Sequence, residues 1–132
     1  MFLKKFLFPF FLFSLPCLSY GASLDSALIR ILQQKPDSFK VLALIEKAKG
    51  NENNFHSEAL FCTDIAYYQS RGIRWKRGEI EALLLKSNLL EASDNYREAL
   101  QVGYRALQRS WEANQQINVV RSLRRIAHLY SV

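Results

Sequence analysis

The sequence predicts an all-α fold in which antiparallel helix pairs stack into a solenoid. Three observations lead to it. The prolines stand at 9, 16 and 36, so nothing after Pro36 is barred from helix. Apolar residues beyond the leader recur at i, i+3, i+4 and i+7, and no stretch alternates with period two for long enough to make a strand. Residues forty positions apart match in type. The 132 residues are 49% apolar and 23% charged, which suits one globular domain and excludes a disordered chain.

Residues 1–22, MFLKKFLFPFFLFSLPCLSYGA, differ from everything after them. Lys4 and Lys5 precede an apolar run from Phe6 to Leu18, and Ser19-Tyr20-Gly21-Ala22 supply the small residues a signal peptidase needs. The apolar run is shorter than the ~20 residues of a membrane span. The expectation is an export signal, hence a periplasmic or secreted protein, with an uncleaved membrane anchor as the second reading. Leu15-Pro16 before Cys17 does not suit a lipoprotein signal. Cleavage removes Cys17 and leaves Cys62, a core thiol in an apolar helix, with no partner for a disulfide. With Lys4 and Lys5 set aside, sixteen basic side chains face twelve acidic ones, a mild basic bias.

Within residues 23–36, Leu24, Ala27, Leu28, Ile31 and Leu32 line one face of an N-terminal helix that Pro36 closes. Residues 37–132 carry the repeats. A second helix spans about Asp37 to Lys49, with Val41, Leu44, Ile45 and Ala48 inward, and GNENN at 50–54 turns the chain. The third, Phe55 to Arg71, carries Ala59, Cys62 and Ala66; Gly72 and Gly78 then bracket a basic connection, GIRWKRG. The fourth runs from Glu79 to Ala92, the fifth from Tyr96 to Trp111 and the sixth from Asn118 to Tyr130.

Glu58-Ala59-Leu60 recurs as Glu98-Ala99-Leu100, Ala66 as Ala106 and Leu83 as Leu123; Ser87 falls on Ala127 and Leu90 on Tyr130. A fixed period across helix pairs marks a solenoid, in which each unit buries its face against its neighbours. Residues 80–107, IEALLLKSNLLEASDNYREALQVGYRAL, resemble a tetratricopeptide repeat. Leu83, Ser87 and Leu90 match the large, small and large positions of that family's first helix, and Tyr96, Ala99 and Ala106 match its second. The resemblance implies a right-handed α-α superhelix. Its pitch of forty implies long inter-helix linkers, such as QRSWEANQQIN. Two positions depart from the pattern: Lys47 stands where a small residue belongs, and Gly103 replaces the usual aromatic. Tyr67, Trp111 or a partner is expected to fill the space over Gly103.

Nothing points to catalysis. His56 and His128 are far apart, there is no HExxH, zinc-spaced Cys/His cluster, Walker loop, GxGxxG or GxSxG, and Glu79 and Glu81 read as solvated helical charges. No enzyme, cofactor or metal is expected. Arg71, Arg74, Trp75, Lys76 and Arg77 read as a basic linker whose Trp75 packs back on the helices; nucleic acid is not expected.

The resemblance implies instead a protein- or peptide-binding groove on the first helices of successive pairs. Carried across, its positions fall on Glu81, Leu84 and Asn88 of one repeat and Arg121, Arg124, Arg125 and His128 of the next. Three arginines suit an acidic peptide, although Leu84 stands where a carboxylate clamp of that family would hold lysine. The function expected is a non-catalytic interaction scaffold. The alternative is the sensory front of a truncated membrane signalling protein of histidine kinase or transcriptional regulator type. The chain stops at HLYSV just after a first helix, so self-association through that open repeat is a further expectation.

Overall fold

A computed structural model describes residues 25–52 and 56–132. The expected leader lies outside the described residues. Among those described, the chain is all-helical: α1 Ser26–Leu32, α2 Ser38–Gly50, α3 His56–Gly72, α4 Lys76–Ala92, α5 Tyr96–Glu112 and α6 Gln116–Ser131. None of these helices is long and apolar enough to cross a membrane.

Local chemistry sets the first two helices. The Asp25 carboxylate caps α1 by accepting from the Ala27 amide, and the Asp37 carboxylate caps α2 by accepting from the Lys40 amide at 2.9 Å. Lys40 is buried, and its ammonium donates to the carbonyls of Leu32 (2.8 Å) and Gln34 (3.1 Å) at the end of α1. A cation belongs at that carbonyl-rich terminus. Lys47, in a slot expected to be small, bridges to the carboxylates of Asp25 and Glu58.

From α3 onward the helices obey one rule. α3, α4 and α5 are each 17 residues long, and the connections are the three-residue segments 73–75, 93–95 and 113–115. The middle residue of each is left-handed: Arg74 (φ 56°), Asp94 (60°) and Asn114 (54°). The residue after it donates its amide to a carbonyl in the last turn, Trp75 to Ser70, Asn95 to Leu90 and Gln115 to Ser110, at 2.8–2.9 Å. This is the Schellman ending, made three times. The expected long linkers are therefore absent. GIRWKRG reduces to Ile73-Arg74-Trp75, and QRSWEANQQIN to Ala113-Asn114-Gln115. The forty-residue pitch comes from longer helices joined by minimal turns, and the underlying unit is one helix plus one turn, at a spacing of 20.

Each helix packs against the next, and α2 also touches α4, as α4 touches α6. The backbones of α3 and α5 do not come together, although Leu60 and Tyr67 of α3 pack against the cluster that α5 shares with α4. The even-numbered helices thus form one contiguous layer. Two apolar clusters fill the stack: Leu28, Val41, Leu44, Ala59, Cys62 and Leu89 in the first, and Ile80, Leu83, Leu90, Val102, Ala106 and Leu129 in the second. α4 contributes to both. Cys62 is buried, and desolvation, with the nearby Glu58 carboxylate, pushes its thiol up to about 11.

Small side chains bring the helices close. Ser87 and Ala99 are fully buried where α4 meets α5, and the Ser87 hydroxyl donates to the Ala99 carbonyl at 2.9 Å. Ser70, Ser110 and Ser122 are buried too; each donates to the carbonyl four residues before it, so no hydroxyl is left unpaired. Gly103 is covered neither by Tyr67 nor by Trp111. A Cβ there would meet Ile126 Cγ1 at 3.4 Å and Ser87 Oγ at 3.8 Å, so the space belongs to α6 and α4.

Glu79 is a second correction. It is buried, not solvated, because α4 begins at Lys76 and its first turn lies under α5. In the twenty-residue register it takes the slot of Ala59 and Ala99. Lys76 Nζ (3.6 Å) and Arg109 Nε (3.7 Å) offset its charge, while Oε2 accepts no hydrogen bond.

Candidate binding groove

The even layer presents α4 and α6 side by side, and the residues expected to bind a partner lie along their shared edge. Leu84, Asn88, Arg121, Arg124, Arg125 and His128 line one groove of about 340 Å³. Glu81 lies just beyond it, in an adjoining cavity of about 590 Å³ that Arg121 shares with Arg77 and the amides of Asn114, Gln115, Gln116 and Asn118. All seven residues are therefore brought together, six in the groove and one beside it.

What the groove offers is less cationic than its three arginines suggest. Arg121 makes a two-pronged contact with the Glu81 carboxylate, one N–H···O bond being 3.1 Å, and also donates to Asn118 Oδ1 at 2.9 Å. That hydrogen bond to Glu81 raises its guanidinium pKa, although burial opposes it. Arg125 is sunk further. It donates to the Ser87 hydroxyl (3.0 Å) and carbonyl (2.7 Å) and is ion-paired with Glu91. His128 Nε2 lies 2.8 Å from the other Glu91 oxygen. Burial pulls the Glu91 carboxyl up, but the hydrogen bonds from Arg125 and His128 outweigh it and hold the group below the usual glutamate value. Arg124 is exposed and makes no ion pair among the described residues.

Two arginines and the histidine thus brace α6 against α4, and Arg124 and Asn88 are left facing solvent above the Leu84 side chain. Glu91 and Ser87, which do not line the groove but hold its Arg125 and His128 in place, are not among the expected residues. A signal for Glu91 existed: Glu81, Leu84 and Asn88 define a stripe whose next position, three residues on, is Glu91.

The basic connection scatters rather than forming a patch. The Arg71 guanidinium sits 5.9 Å over the Tyr67 ring, Lys76 turns to Glu79, and Arg77 reaches the larger cavity. Trp75 is half-buried against the first cluster, as expected. No group of three or more His, Cys, Asp or Glu side chains among the described residues is arranged to hold a metal. Compared with protein-family models, with curated proteins and with solved structures, the chain matches none.

Proposed function

We propose that this protein is a non-catalytic interaction scaffold, a tetratricopeptide-like right-handed superhelix that holds an extended peptide along the α4–α6 groove. The observation that carries the reading is the convergence of Leu84, Asn88, Arg124 and His128 from alternate helices on one groove, over a floor fixed by the Arg121–Glu81 and Arg125–Glu91 pairs. Side chains held by such pairs lose little further freedom when a ligand arrives, which favours binding. The stacking of α2, α4 and α6 in one layer supports a concave surface of this type.

The partner chemistry follows from what remains unpaired. A carboxylate of the peptide pairs with Arg124 and a backbone amide or carbonyl meets Asn88, above a floor to which the buried Leu84 contributes. A fluorescein-labelled peptide of four Asp-Leu repeats tests this against its Asn-Leu counterpart. The acidic peptide is expected to bind more tightly, and Arg124→Glu to weaken it by about tenfold, or about 1.4 kcal/mol, with a flatter salt dependence. Equal binding of both peptides, unchanged by Arg124→Glu, would overturn the reading.

A further inference from the structure

Two cations along the α4–α6 edge are left without a partner. Arg124 is one. Arg77, in the first turn of α4, is the other; it is exposed and makes no ion pair among the described residues. Arg121 and Arg125 are occupied by Glu81 and Glu91 and add no free charge. The cavity of about 590 Å³ that Arg77 lines adjoins the groove at Arg121, which lines both. Its carboxylate, Glu81, has both oxygens on the Arg121 guanidinium. Arg77 is therefore the one free charge among the residues lining that cavity.

The two free cations have a fixed separation along the helices. Glu81 meets Arg121 and Glu91 meets Arg125, so residue numbers rise together and α4 and α6 run in the same direction. Arg77 stands four residues before Glu81 on α4, and Arg124 three residues after Arg121 on α6. At about 1.5 Å of rise per residue, their backbones lie about 10 Å apart along the stack. An extended peptide advances about 3.3 Å per residue, so three residues cover that distance. Beside Arg77, the exposed amides of Asn114 and Gln116 also make no side-chain hydrogen bond among the described residues. Each can donate as well as accept.

A carboxylate that reaches this cavity meets one cation, neutral donors and no unpaired anion. We infer that the α4–α6 edge reads a pair of acidic side chains three residues apart in one peptide, one at Arg124 and the other at Arg77. The inference rests on the peptide reading of the groove and adds to it a second anchor and a spacing rule. Leu84 gives the groove floor no donor for a terminal carboxylate, so both acidic groups are side chains. Arg77 is the specificity-determining residue. It separates peptides with a correctly spaced acidic pair from those of equal charge whose acidic residues are crowded together or set far apart.

The probes are fluorescein-labelled Asn-Ser peptides with a C-terminal amide, each carrying two Asp residues placed one, three or six positions apart. Binding to the full chain is read by fluorescence anisotropy at low salt. The three-apart pair is expected to bind about threefold more tightly than the other two, the gain of one exposed ion pair. Arg77→Ala should remove that preference, with circular dichroism melting to show that the variant is folded. Arg124→Glu should weaken all three peptides. Equal binding of the three spacings, or a preference that survives Arg77→Ala, overturns the inference. The peptide reading itself then stands if Arg124→Glu still weakens binding. No binding of any of the three peptides overturns both. A peptide whose free C-terminal carboxylate replaces the second Asp and binds as tightly also overturns the inference, since the cavity would then take a chain end.

Discussion

Gly78, in the first turn of α4, and Gly103, in the interior of α5, are glycines for opposite reasons. Beside Gly78 lie the Ser70 hydroxyl and the Trp75 ring, both closer than a Cβ would allow. Around Gly103 the nearest atom is 3.4 Å away, an ordinary contact distance. Gly78→Ala must displace the indole that covers the first cluster, at a cost of about 1–3 kcal/mol. Gly103→Ala adds a methyl that fits and removes a helix-interior glycine, a gain of about 0.5–1 kcal/mol. Thermal melts of the two variants should therefore move in opposite directions. A fall in melting temperature for both would show that Ile126 cannot accommodate the methyl. The sequence marks Gly78, with Gly72, as the bracket of a connection, and that is where it misleads. The left-handed position of each turn holds Arg74, Asp94 or Asn114, and no glycine among the described residues has a positive φ.

At the scale of the elements, α4 and α6 are joined on the groove side by ion pairs between Glu81 and Arg121 and between Glu91 and Arg125, and by a hydrogen bond between Glu91 and His128, all between residues 34 to 40 positions apart. Because the Glu91 pKa is lowered in the fold, its contribution is complete above the unfolded value of about 4.5 and is lost as pH falls through the folded value. Glu91→Gln should cost about 0.5–1 kcal/mol near neutral pH. The gap between the melting temperatures of variant and parent should close as pH falls below about 4.5 and through the lowered folded value. A gap that is constant from pH 7 to 3 would assign the effect to packing instead. The helices themselves were legible, since each turn of apolar spacing reports its own burial. The pairing was not. A groove stripe identifies Arg121 and Arg125 as facing a ligand, but only the packed neighbour shows that each already holds a carboxylate.

The whole molecule is a linear stack in which α4 alone places fully buried side chains in both apolar clusters, while Leu60 and Tyr67 of α3 pack against each. Stability in such a stack is set by neighbouring interfaces rather than by one shared core. Leu129→Ala removes a buried side chain from the second cluster, and a change of that type costs about 2–5 kcal/mol. The loss should open α5 and α6 first. Trp75 reports the α3–α4 turn and Trp111 the end of α5, so single-tryptophan variants can follow the two ends separately. In the Leu129→Ala background the Trp111 transition is expected at lower denaturant than that of Trp75. Coincident transitions would show that the stack unfolds as one unit. The repeat that produces this architecture was visible in the matches forty apart, but half of its period was hidden. α3 and α5 lie outside the layer that α4 and α6 share, so their contact residues differ in size, and the twenty-residue unit is carried by the turn geometry more than by side-chain identity.

That turn also sets which changes in length the molecule can absorb. One helix and one turn occupy twenty residues, and alternate helices belong to different layers. Adding or removing a single unit would exchange the inner and outer roles of every helix beyond it, turning the arginines of α6 away from Glu81 and Glu91. Adding or removing two units preserves those roles. Chain length in this architecture therefore has a parity, and the groove survives only changes made in pairs.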